Sequence, residues 1–484
     1  MAKAPLFLDV DGTLLKTDLL FEAFWAGLGQ SPLATLGACA RHWRRPAALK
    51  SALADIVSLR YDLMPLRKEV LALANDAREE GHVVGLASAS DQRMVAGVAE
   101  ANGIDGPLYG SDGERNLKGA EKSSALIKDY GQGGFIYAGD SAADLAVWEK
   151  AQAAIVVGSH KTAERSLAAK GISTTPIAGG WSHTDLIRAL RPHQWVKNIL
   201  LLLPMIAAHE FTLATFGLVL LGMVAFSAAA SSIYVVNDLL DLEADRLHVK
   251  KCRRPFASGA VPIQVGMAAC AFLIALALGL GELLGPAFFG VVVLYMLLSL
   301  AYSLKLKRLR WVDIATLASL YTLRVVAGAA ATQVEASAMM LIFIFPVFVS
   351  LGCVKRLTEL TLATSDERLP GRGYGRPDRG DLLNVASLGV VGALLVFFLY
   401  SFSEQALTLY PTRWILWVTL VPIALWLIRM VALGYAGKQD YDPIVFALRD
   451  KMGIGILLII LSMMFYAAGL WAVWFNLAAI STAS

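Results

Sequence analysis

The sequence contains few charged side chains and few cysteines for its length. Only 17% of its 484 residues are charged, whereas 56% are hydrophobic, and the mean hydropathy is +0.57. This composition excludes an ordinary soluble enzyme and predicts residence in a membrane. The 4 cysteines have neither paired nor CxxC spacing, so the sequence predicts neither a disulfide framework nor a zinc site.

The apolar residues are unevenly distributed along the chain. Residues 1–190 carry charges at the density of a globular domain, whereas residues 196–477 are mainly long apolar runs separated by short polar loops. We therefore predict a soluble domain over 1–165, a linker over 166–190 and a membrane domain over 191–484. The chain reaches Asp9 too soon to contain the apolar region of a signal peptide, so the N-terminal domain is expected to stay in the cytosol.

The N-terminal domain has the pattern of an α/β fold. Short apolar runs at 5–10, 83–87, 135–138 and 153–157 end at polar or Gly-rich turns, and helical patterns lie between them. Repeated β-α units of this kind predict a Rossmann-like parallel sheet with its functional loops at the C-terminal ends of the strands. The insertion over about 17–80 has helical spacing and few strand signals, which predicts a helical cap.

The C-terminal part has the pattern of an all-α polytopic membrane bundle, with about nine apolar stretches long enough to be transmembrane helices. They lie near 196–209, 212–236, 262–283, 286–303, 311–331, 337–353, 382–401, 413–432 and 452–477. The loops on one predicted side hold nearly all the basic residues of this part, whereas those on the other side hold Arg413 alone. By the positive-inside rule we predict an integral protein of the cytoplasmic (inner) membrane, with its N-terminal domain and active sites on the cytoplasmic side.

Pairs of carboxylates follow two of the predicted strands. Asp9 and Asp11 come directly after the first apolar run, in Asp-Val-Asp-Gly-Thr, and Asp140 and Asp144 follow the third, in Gly-Asp-Ser-Ala-Ala-Asp. Acids that converge at one sheet edge repel one another unless a divalent cation lies among them, and oxygen-only ligands suit Mg²⁺. Phosphoryl transfer is the chemistry that such a site serves.

These motifs resemble those of the haloacid dehalogenase superfamily of phosphatases, over about residues 5–160. The resemblance implies that Asp9 is the nucleophile and Asp11 the general acid and base. It also implies that Asp9, Asp11, Asp140 and Asp144 form the Mg²⁺ site.

The same resemblance implies two phosphate-binding side chains. Ser88 matches the Ser or Thr that follows a strand, with Ser90 as a weaker candidate, and Lys122 matches the lysine before a helix, although Lys118 is close in sequence. Both side chains would bind phosphoryl oxygens. An intact fold that has lost catalytic activity is the alternative interpretation of this domain.

A second acidic motif ends the second predicted span. Asp238, Asp241 and Asp245 are spaced three and four residues apart, which predicts that they share one helical face. Stacked carboxylates at the end of an apolar helix are costly, so this pattern favours binding of a divalent metal. Basic residues that include Arg254 follow at once. Carboxylates with Mg²⁺ and arginines together make a receptor for a diphosphate group.

With Asn237, these aspartates resemble the first aspartate motif of the UbiA-type intramembrane prenyltransferase superfamily, and the likeness covers about residues 188–480. The second aspartate-rich motif of ordinary members is not apparent; Lys-Arg-Leu-Thr-Glu over 355–359 and a Gly/Arg-rich loop over 369–376 stand in its place. Together with the segments 191–198 and 302–308, this is similar to the branch that contains decaprenyl-phosphate phosphoribosyltransferase.

That resemblance implies transfer of 5-phosphoribose from phosphoribosyl diphosphate to a polyprenyl (decaprenyl) phosphate, with release of diphosphate. Asp238, Asp241 and Asp245 would be the catalytic Mg²⁺ ligands. Arg324 is a candidate on its own, because an intramembrane arginine is a functional hypothesis by default. The substrate-binding candidates are Lys197, Asn198, Asn237, Arg254, Tyr302, Lys305, Lys307, Arg324, Lys355, Arg356 and Glu359.

The product of such a transfer keeps a phosphate on the sugar's 5-position, which a fused phosphatase would remove to give polyprenyl-phosphoryl-ribose for cell-envelope synthesis. The main alternative is transfer of a prenyl chain from its diphosphate to an aromatic or lipophilic acceptor, beside an independent phosphatase. A transporter is disfavoured because the acids lie at span ends and not at mid-membrane. The expected partners are polyprenyl phosphate, phosphoribosyl diphosphate and the bilayer, without nucleic acid, and a homo-oligomer is compatible with the sequence.

Overall fold

The computed structural model describes residues 3–334, 337–363, 368, 372–439 and 442–475. Residues 369–371 of the predicted Gly/Arg-rich loop and the end of the ninth predicted span, after residue 475, lie outside the described residues. The chain forms two compact units, and neither is a single stretch: unit 1 is Met1–Arg191 with Tyr234–Ala271, and unit 2 is Pro192–Ile233 with Phe272–Ser484. The predicted linear boundaries at 165 and 190 therefore differ from this division and stay predictions.

Unit 1 contains a six-stranded sheet with the strand order β3-β2-β1-β4-β5-β6, and every pairing in it is parallel. The predicted parallel sheet is thus confirmed. Two short strands, β3 and β6, were not predicted, because their partly exposed residues lack a continuous apolar run. The strands are β1 Leu6–Leu8, β2 Val84–Asp91, β3 Leu108–Ser111, β4 Ile136–Gly139, β5 Ala153–Val157 and β6 Ser173–Ile177.

Helices fill the segments between these strands. The segment between β1 and β2 is helical apart from one isolated bridge between Leu15 and Leu66, and α1, α2 and α3 pack against one another there. The helices up to residue 191 are α1 Leu19–Gln30, α2 Pro32–His42, α3 Pro46–Ile56, α4 Lys68–Glu79, α5 Gln92–Ala101, α6 Ala120–Tyr130, α7 Leu145–Trp148, α8 Lys161–Ala169 and α9 His183–Ala189.

The rest of the chain is helical in its described residues. The helices are α10 Leu203–Ala207, α11 Leu213–Leu240, α12 Leu242–Leu247, α13 Ile263–Leu284, α14 Pro286–Leu304, α15 Arg310–Thr332, α16 Ala338–Thr361, α17 Arg379–Tyr400, α18 Glu404–Leu409, α19 Trp414–Tyr435, α20 Pro443–Ala447, α21 Lys451–Ala467 and α22 Leu470–Trp474. Within unit 2, α15 is the most enclosed of the long helices, because 67% of its most apolar 18-residue segment is buried.

Among the described residues, 7 helices are long and apolar enough to cross a membrane, which confirms a helical membrane domain but does not confirm the predicted count of nine. The first predicted span consists of a 3-10 segment, Pro192–Leu202, and the short α10, in which Pro204 occupies the first turn. The last is divided at Gly469, whose φ of 73° interrupts the helix.

Candidate active sites

The turn after β1 brings the first carboxylate pair to the sheet edge. Asp9 follows β1 directly and caps the next turn through its own side chain. Gly12 has a φ of 75°, and a Cβ atom there would collide with the carboxylate of Asp140, which explains why this turn needs glycine. The Thr13 hydroxyl donates a hydrogen bond to Asp140 Oδ1 at 3.2 Å. The turn and the end of β4 are therefore held together.

Asp9, Asp140 and Asp144 form the one group in the described part of the chain whose carboxylate oxygens could surround a metal ion, with all ligand atoms within 4.8 Å of one another. Burial raises the pKa of Asp140 to about 6, and the nearby Asp144 carboxylate adds to the effect. An oxygen-only donor set crowded in this way fits a hard divalent cation such as Mg²⁺, which would offset the mutual repulsion.

Lys122 is the cation of this acidic cluster. Its ammonium lies 3.0 Å from Asp9 Oδ2 and 3.3 Å from Asp144 Oδ1, and it donates to the Tyr137 hydroxyl at 2.5 Å. Burial opposes the charged form, yet the carboxylates of Asp9 and Asp144 raise the pKa of Lys122. Lys118 is exposed. Of the two lysines that the sequence left open, the structure brings Lys122 to the carboxylates.

Asp11 receives hydrogen bonds from both candidate serines. Ser88 Oγ and Ser90 Oγ donate to Asp11 Oδ2 at 3.0 and 2.7 Å, and the Leu19 amide donates to Asp11 Oδ1 at 2.7 Å. Ser88, Ser90 and Asp11 therefore lie in one group, and neither serine is favoured over the other by contact.

Lys50 of α3 is a residue that the sequence reasoning missed. Its ammonium donates to the Ala89 carbonyl at 2.6 Å, next to the two serines, and to the Asn116 side chain at 3.3 Å. Burial lowers the pKa of Lys50, while the carboxylates of Asp11 and Asp18 oppose that shift. Nothing in its local sequence distinguishes Lys50 from a surface lysine, because the contacts come from residues more than thirty positions away.

The second acidic motif, also in unit 1, is held by arginines. Arg254 Nη1 lies 3.1 Å from Asp238 Oδ1 and 2.6 Å from Asp245 Oδ2, and Arg191 also pairs with Asp238. The helix is interrupted at Asp241 between α11 and α12, but the Asp245 amide still donates to the Asp241 carbonyl at 2.8 Å. Asp238 and Asp245 thus contact the same guanidinium from either side of the interruption at Asp241. Arginine and carboxylates at this spacing suit recognition of a diphosphate.

In unit 2, Asp442 gathers two of the predicted lysines. Lys197 Nζ lies 2.5 Å and Lys355 Nζ 3.9 Å from Asp442 Oδ2, and the Tyr321 hydroxyl donates to the same oxygen at 3.3 Å. Both lysines hold the pKa of Asp442 below its ordinary value, against the effect of burial. Two ammonium groups therefore converge on one carboxylate among the described residues, and a gathering of cations of this kind suits an anionic ligand.

Arg324 lies near Lys197, because both cations lie over the ring of Tyr321, at 5.6 and 6.0 Å from its centroid. Its Nε donates to the Asn198 side chain at 3.2 Å and its Nη2 to the Tyr295 hydroxyl at 2.9 Å. Arg324 is 4% exposed, so a buried cation on α15 meets polar but uncharged partners in these contacts. This supports a binding function over simple snorkelling.

A third cluster in unit 2 centres on Asp313 of α15. Arg356 donates to both Asp313 oxygens at 2.6 and 2.8 Å and to Glu359 at 2.5 Å. The Tyr302 hydroxyl donates to Asp313 at 3.0 Å and accepts from Arg356 and Arg372 at 2.9 and 3.1 Å. The charges of this cluster nearly balance. It therefore suits a structural role in unit 2 more than it suits binding of an anion.

The remaining predicted residues lie at the ends of helices. Asn237 occupies the last turn of α11 and is half-buried. Lys305 caps the end of α14 and is exposed, and Lys307 lies in the short turn Leu306–Arg308.

Asp313 and Asp442 were not singled out from the sequence, although each carried a signal. Asp313 is an acid in an apolar span, which is a functional candidate by default. Asp442 precedes Pro443, the pattern of a helix N-cap, and it does cap α20.

Unit 2 also contains an apolar cavity of about 540 Å³. Helices α10, α16, α17, α19, α20 and α21 line it, with side chains such as Ile344, Phe348, Tyr410, Ile444 and Leu448. Its wall includes α20, the helix that Asp442 caps. The volume is in the range of ligand-binding pockets in proteins.

Comparison with known proteins identifies the membrane part. The model of the UbiA prenyltransferase family matches residues 199–449. The chain belongs to the UbiA prenyltransferase family. The uncharacterized protein y4nM of Sinorhizobium fredii is 35% identical to it over 461 residues, which cover 93% of this chain and 88% of that protein.

Further relatives match the C-terminal part. Decaprenyl-phosphate phosphoribosyltransferase of Mycobacterium tuberculosis is 32% identical over 280 residues, 55% of this chain and 88% of that enzyme. The structure of a UbiA homologue from Archaeoglobus fulgidus bound to GPP and Mg²⁺ covers 59% of this chain and 99% of its own, at 15% identity and a TM-score of 0.44. Membership in the family supports a transferase activity in the membrane and a prenyl-type lipid substrate.

Proposed function

We propose that this protein transfers 5-phosphoribose from phosphoribosyl diphosphate to a polyprenyl phosphate, and that its N-terminal domain then removes the 5-phosphate. The observation that carries the first step is the buried cluster of Lys197, Lys355 and Asp442, in which two lysines share one carboxylate. Three phosphate-bearing groups meet in this reaction, namely a diphosphate, the 5-phosphate and the lipid phosphate. These groups need more cations than Arg254 and a Mg²⁺ ion at the aspartate motif would supply.

A lipid phosphate acceptor is further supported by the position of this cluster. Asp442 caps α20, and Ile444 and Ala447 of that helix, with Leu448 directly after it, line the apolar cavity. A phosphate bound by the two lysines would therefore have an apolar surface beside it for the first isoprene units. The convergence of two lysines beside this cavity favours a phosphorylated acceptor over a neutral aromatic one.

In the transfer step, this chain's residues bind and orient two anions. In unit 1, Arg254, already between Asp238 and Asp245, would contact the diphosphate. Taken by itself, the unit 2 cluster of Lys197 and Lys355 would bind the lipid phosphate. One lipid phosphate oxygen bonds to the anomeric carbon as the bond to diphosphate breaks, and diphosphate leaves with that electron pair. Asp238, Asp241 and Asp245 do not form a ready-made metal cluster in the described residues, where Arg254 bridges Asp238 and Asp245. We propose from the motif alone that they would hold Mg²⁺, which would offset the charge of the leaving group.

The N-terminal domain has side chains for hydrolysis of the resulting phosphate monoester. Asp9 would attack phosphorus, Asp11 would protonate the departing 5-oxygen, and the same carboxylate would then take a proton from the water that releases inorganic phosphate. Lys122, which contacts Asp9 at 3.0 Å, would neutralise phosphoryl oxygens. Mg²⁺ at Asp9, Asp140 and Asp144 would reduce the repulsion between nucleophile and phosphate.

The charge pattern supports a location in the cytoplasmic membrane with both sites on the cytoplasmic side, because the basic loops flank the aspartate motif. Phosphoribosyl diphosphate is a polar anion that does not cross bilayers unaided, so its binding site would face the compartment that contains it.

The test uses purified full-length protein with Mg²⁺, phosphoribosyl diphosphate labelled in the ribose, and a polyprenyl phosphate. Wild type is expected to yield ribosyl lipid without the 5-phosphate. Asp9→Asn should accumulate the phosphorylated lipid, and Asp238→Asn should yield neither. Asp381→Asn serves as a matched control, because the Asp381 side chain is 61% exposed, and it should behave as wild type.

Two outcomes would contradict the proposal in different ways. If active wild type labels no lipid but transfers a prenyl chain from prenyl diphosphate to an aromatic acceptor, the phosphoribosyl assignment is wrong. If Asp9→Asn and wild type give the same phosphate-free product, the transferase assignment stands and the phosphatase assignment is wrong.

A further inference from the structure

Glu22 and Arg246 form a buried ion pair within unit 1. Arg246 Nη2 lies 2.5 Å and Nη1 3.1 Å from the two Glu22 oxygens, and the side chains are only 8% and 4% exposed. The Thr17 hydroxyl donates to Glu22 at 2.6 Å. Glu22 belongs to α1 of the predicted cap, and Arg246 belongs to α12, so 224 positions of sequence separate the partners.

Other contacts join the same two segments. Gln264 donates to Asp18 Oδ2 at 3.0 Å, and α12 packs against the short turn Tyr61–Leu63. Gly259, with a φ of 69°, leaves no room for a Cβ atom because Lys16 and Pro65 lie against it. The docking therefore involves several points along both segments and not a single pair of long side chains.

Arg246 also holds the loop that follows α12. Its Nε donates to the Ala257 carbonyl at 3.1 Å. The same loop carries Arg254, which pairs with Asp238 and with Asp245, the residue before Arg246. Glu22 is thus the anchor for an arginine that fixes the distance between α12 and the loop, and hence the position of Arg254 over the two aspartates.

We propose that Glu22 is a positioning residue for the transferase, so that the N-terminal domain is a structural part of the aspartate-motif loop as well as a separate catalytic site. A buried pair of this kind holds a defined geometry, because loss of either partner leaves the other charge buried without compensation. The inference rests on the proposed function only for the assignment of Asp238, Asp245 and Arg254 to the donor site.

The decisive measurement is hydrogen–deuterium exchange of the full-length protein in detergent. In Glu22→Gln we expect the amides of α12 and of residues 248–262 to exchange roughly tenfold faster or more. The reason is that loss of a buried ion pair raises the equilibrium constant for local opening by more than about tenfold. Peptides that contain β1 and β4 should keep wild-type protection, which reports that the domain is folded. Glu69→Gln, in an exposed position on α4, is the matched control and should change neither region.

The activity readout is the KM for the diphosphate donor. A loop displaced from Asp238 and Asp245 should raise this KM in Glu22→Gln, whereas Glu69→Gln should leave it unchanged. Wild-type protection of residues 242–262 in a folded Glu22→Gln protein would overturn the inference. If that variant loses protection in its β1 and β4 peptides, Arg246→Lys, which keeps the charge but not the two-pronged contact, is measured in the same way and decides by the same criterion.

This inference and the proposed function fail separately. Exchange needs no substrate, so an unchanged loop refutes the positioning role even when the enzyme transfers phosphoribose. Conversely, faster exchange of the loop in Glu22→Gln, combined with no phosphoribosyl transfer by the wild type, would support the positioning role of Glu22 and reject phosphoribosyl diphosphate as the donor.

Discussion

Replacing Asp313 by asparagine removes one charge from the cluster that Arg356, Glu359 and Tyr302 form in unit 2. Both Arg356 and Asp313 are fully buried, at 0% exposure. The substitution leaves Arg356 with Glu359 at 2.5 Å as its charged partner, while Arg372, 3.5 Å from Asp313, loses a carboxylate. The cluster then carries excess positive charge away from water.

The expected loss of stability is about 3 kcal/mol, the lower end of the range for breaking a buried pair, because Glu359 still compensates part of the charge. Asp381→Asn is the matched comparison. It removes the same type of group from a contact with an arginine, Arg310, but the Asp381 side chain is 61% exposed. A surface pair of that kind contributes about 0–1 kcal/mol.

The assay is thermal unfolding of the purified protein in one detergent, with all variants heated at the same rate, since membrane proteins often unfold irreversibly. Asp313→Asn should lower the apparent Tm by several degrees and Asp381→Asn by little. Equal Tm values for the two variants would refute the argument that burial makes the Asp313 contact important. Glu359→Gln should, like Asp313→Asn, lower the apparent Tm more than Asp381→Asn does.

Two further predictions concern single cations and their partners. Lys122→Met should abolish the release of inorganic phosphate from a phosphate monoester, because Lys122 lies 3.0 Å from Asp9. The control Lys118→Met should retain most of the wild-type phosphatase activity. Equal activity of the two variants would contradict the assignment of Lys122. Asp442→Asn should lower the apparent Tm, because Lys197 and Lys355 lose the Asp442 carboxylate as a partner. It should also lower the KM for the polyprenyl phosphate, because the lipid phosphate no longer competes with that carboxylate for the two ammonium groups; a Tm change without a KM change would reject the role of this cluster in binding.

Much of the N-terminal site could be predicted from local sequence. Asp9, Asp11, Asp140 and Asp144 each follow a strand, and the C-terminal ends of parallel strands meet at one edge, so the topology alone brings them together. The choice between Lys118 and Lys122 could not be made in this way. Both precede α6 or lie in its first turn, and only the packing of that helix against α7 and β2 determines which ammonium meets Asp9.

The membrane part shows the same division. Hydropathy predicted a helical membrane domain, because a bilayer requires long apolar helices. The acids Asp238, Asp241 and Asp245 are conspicuous at the end of such a helix, and their resemblance to the UbiA motif indicated a transferase. The number of spans was harder to predict, since Pro204 and Gly469 interrupt helices that composition alone would continue.

By itself, then, the sequence determined the fold class of each domain and the positions of the acidic motifs, because these depend on composition, periodicity and short-range spacing. The family of the membrane part followed from the resemblance of its motifs. Only the tertiary structure decided which charges meet. Asp442 with Lys197, Asp313 with Arg356, and Glu22 with Arg246 are partners separated by up to 245 positions. No local pattern encodes such pairs, since a buried ion pair forms wherever packing excludes water from both side chains at once.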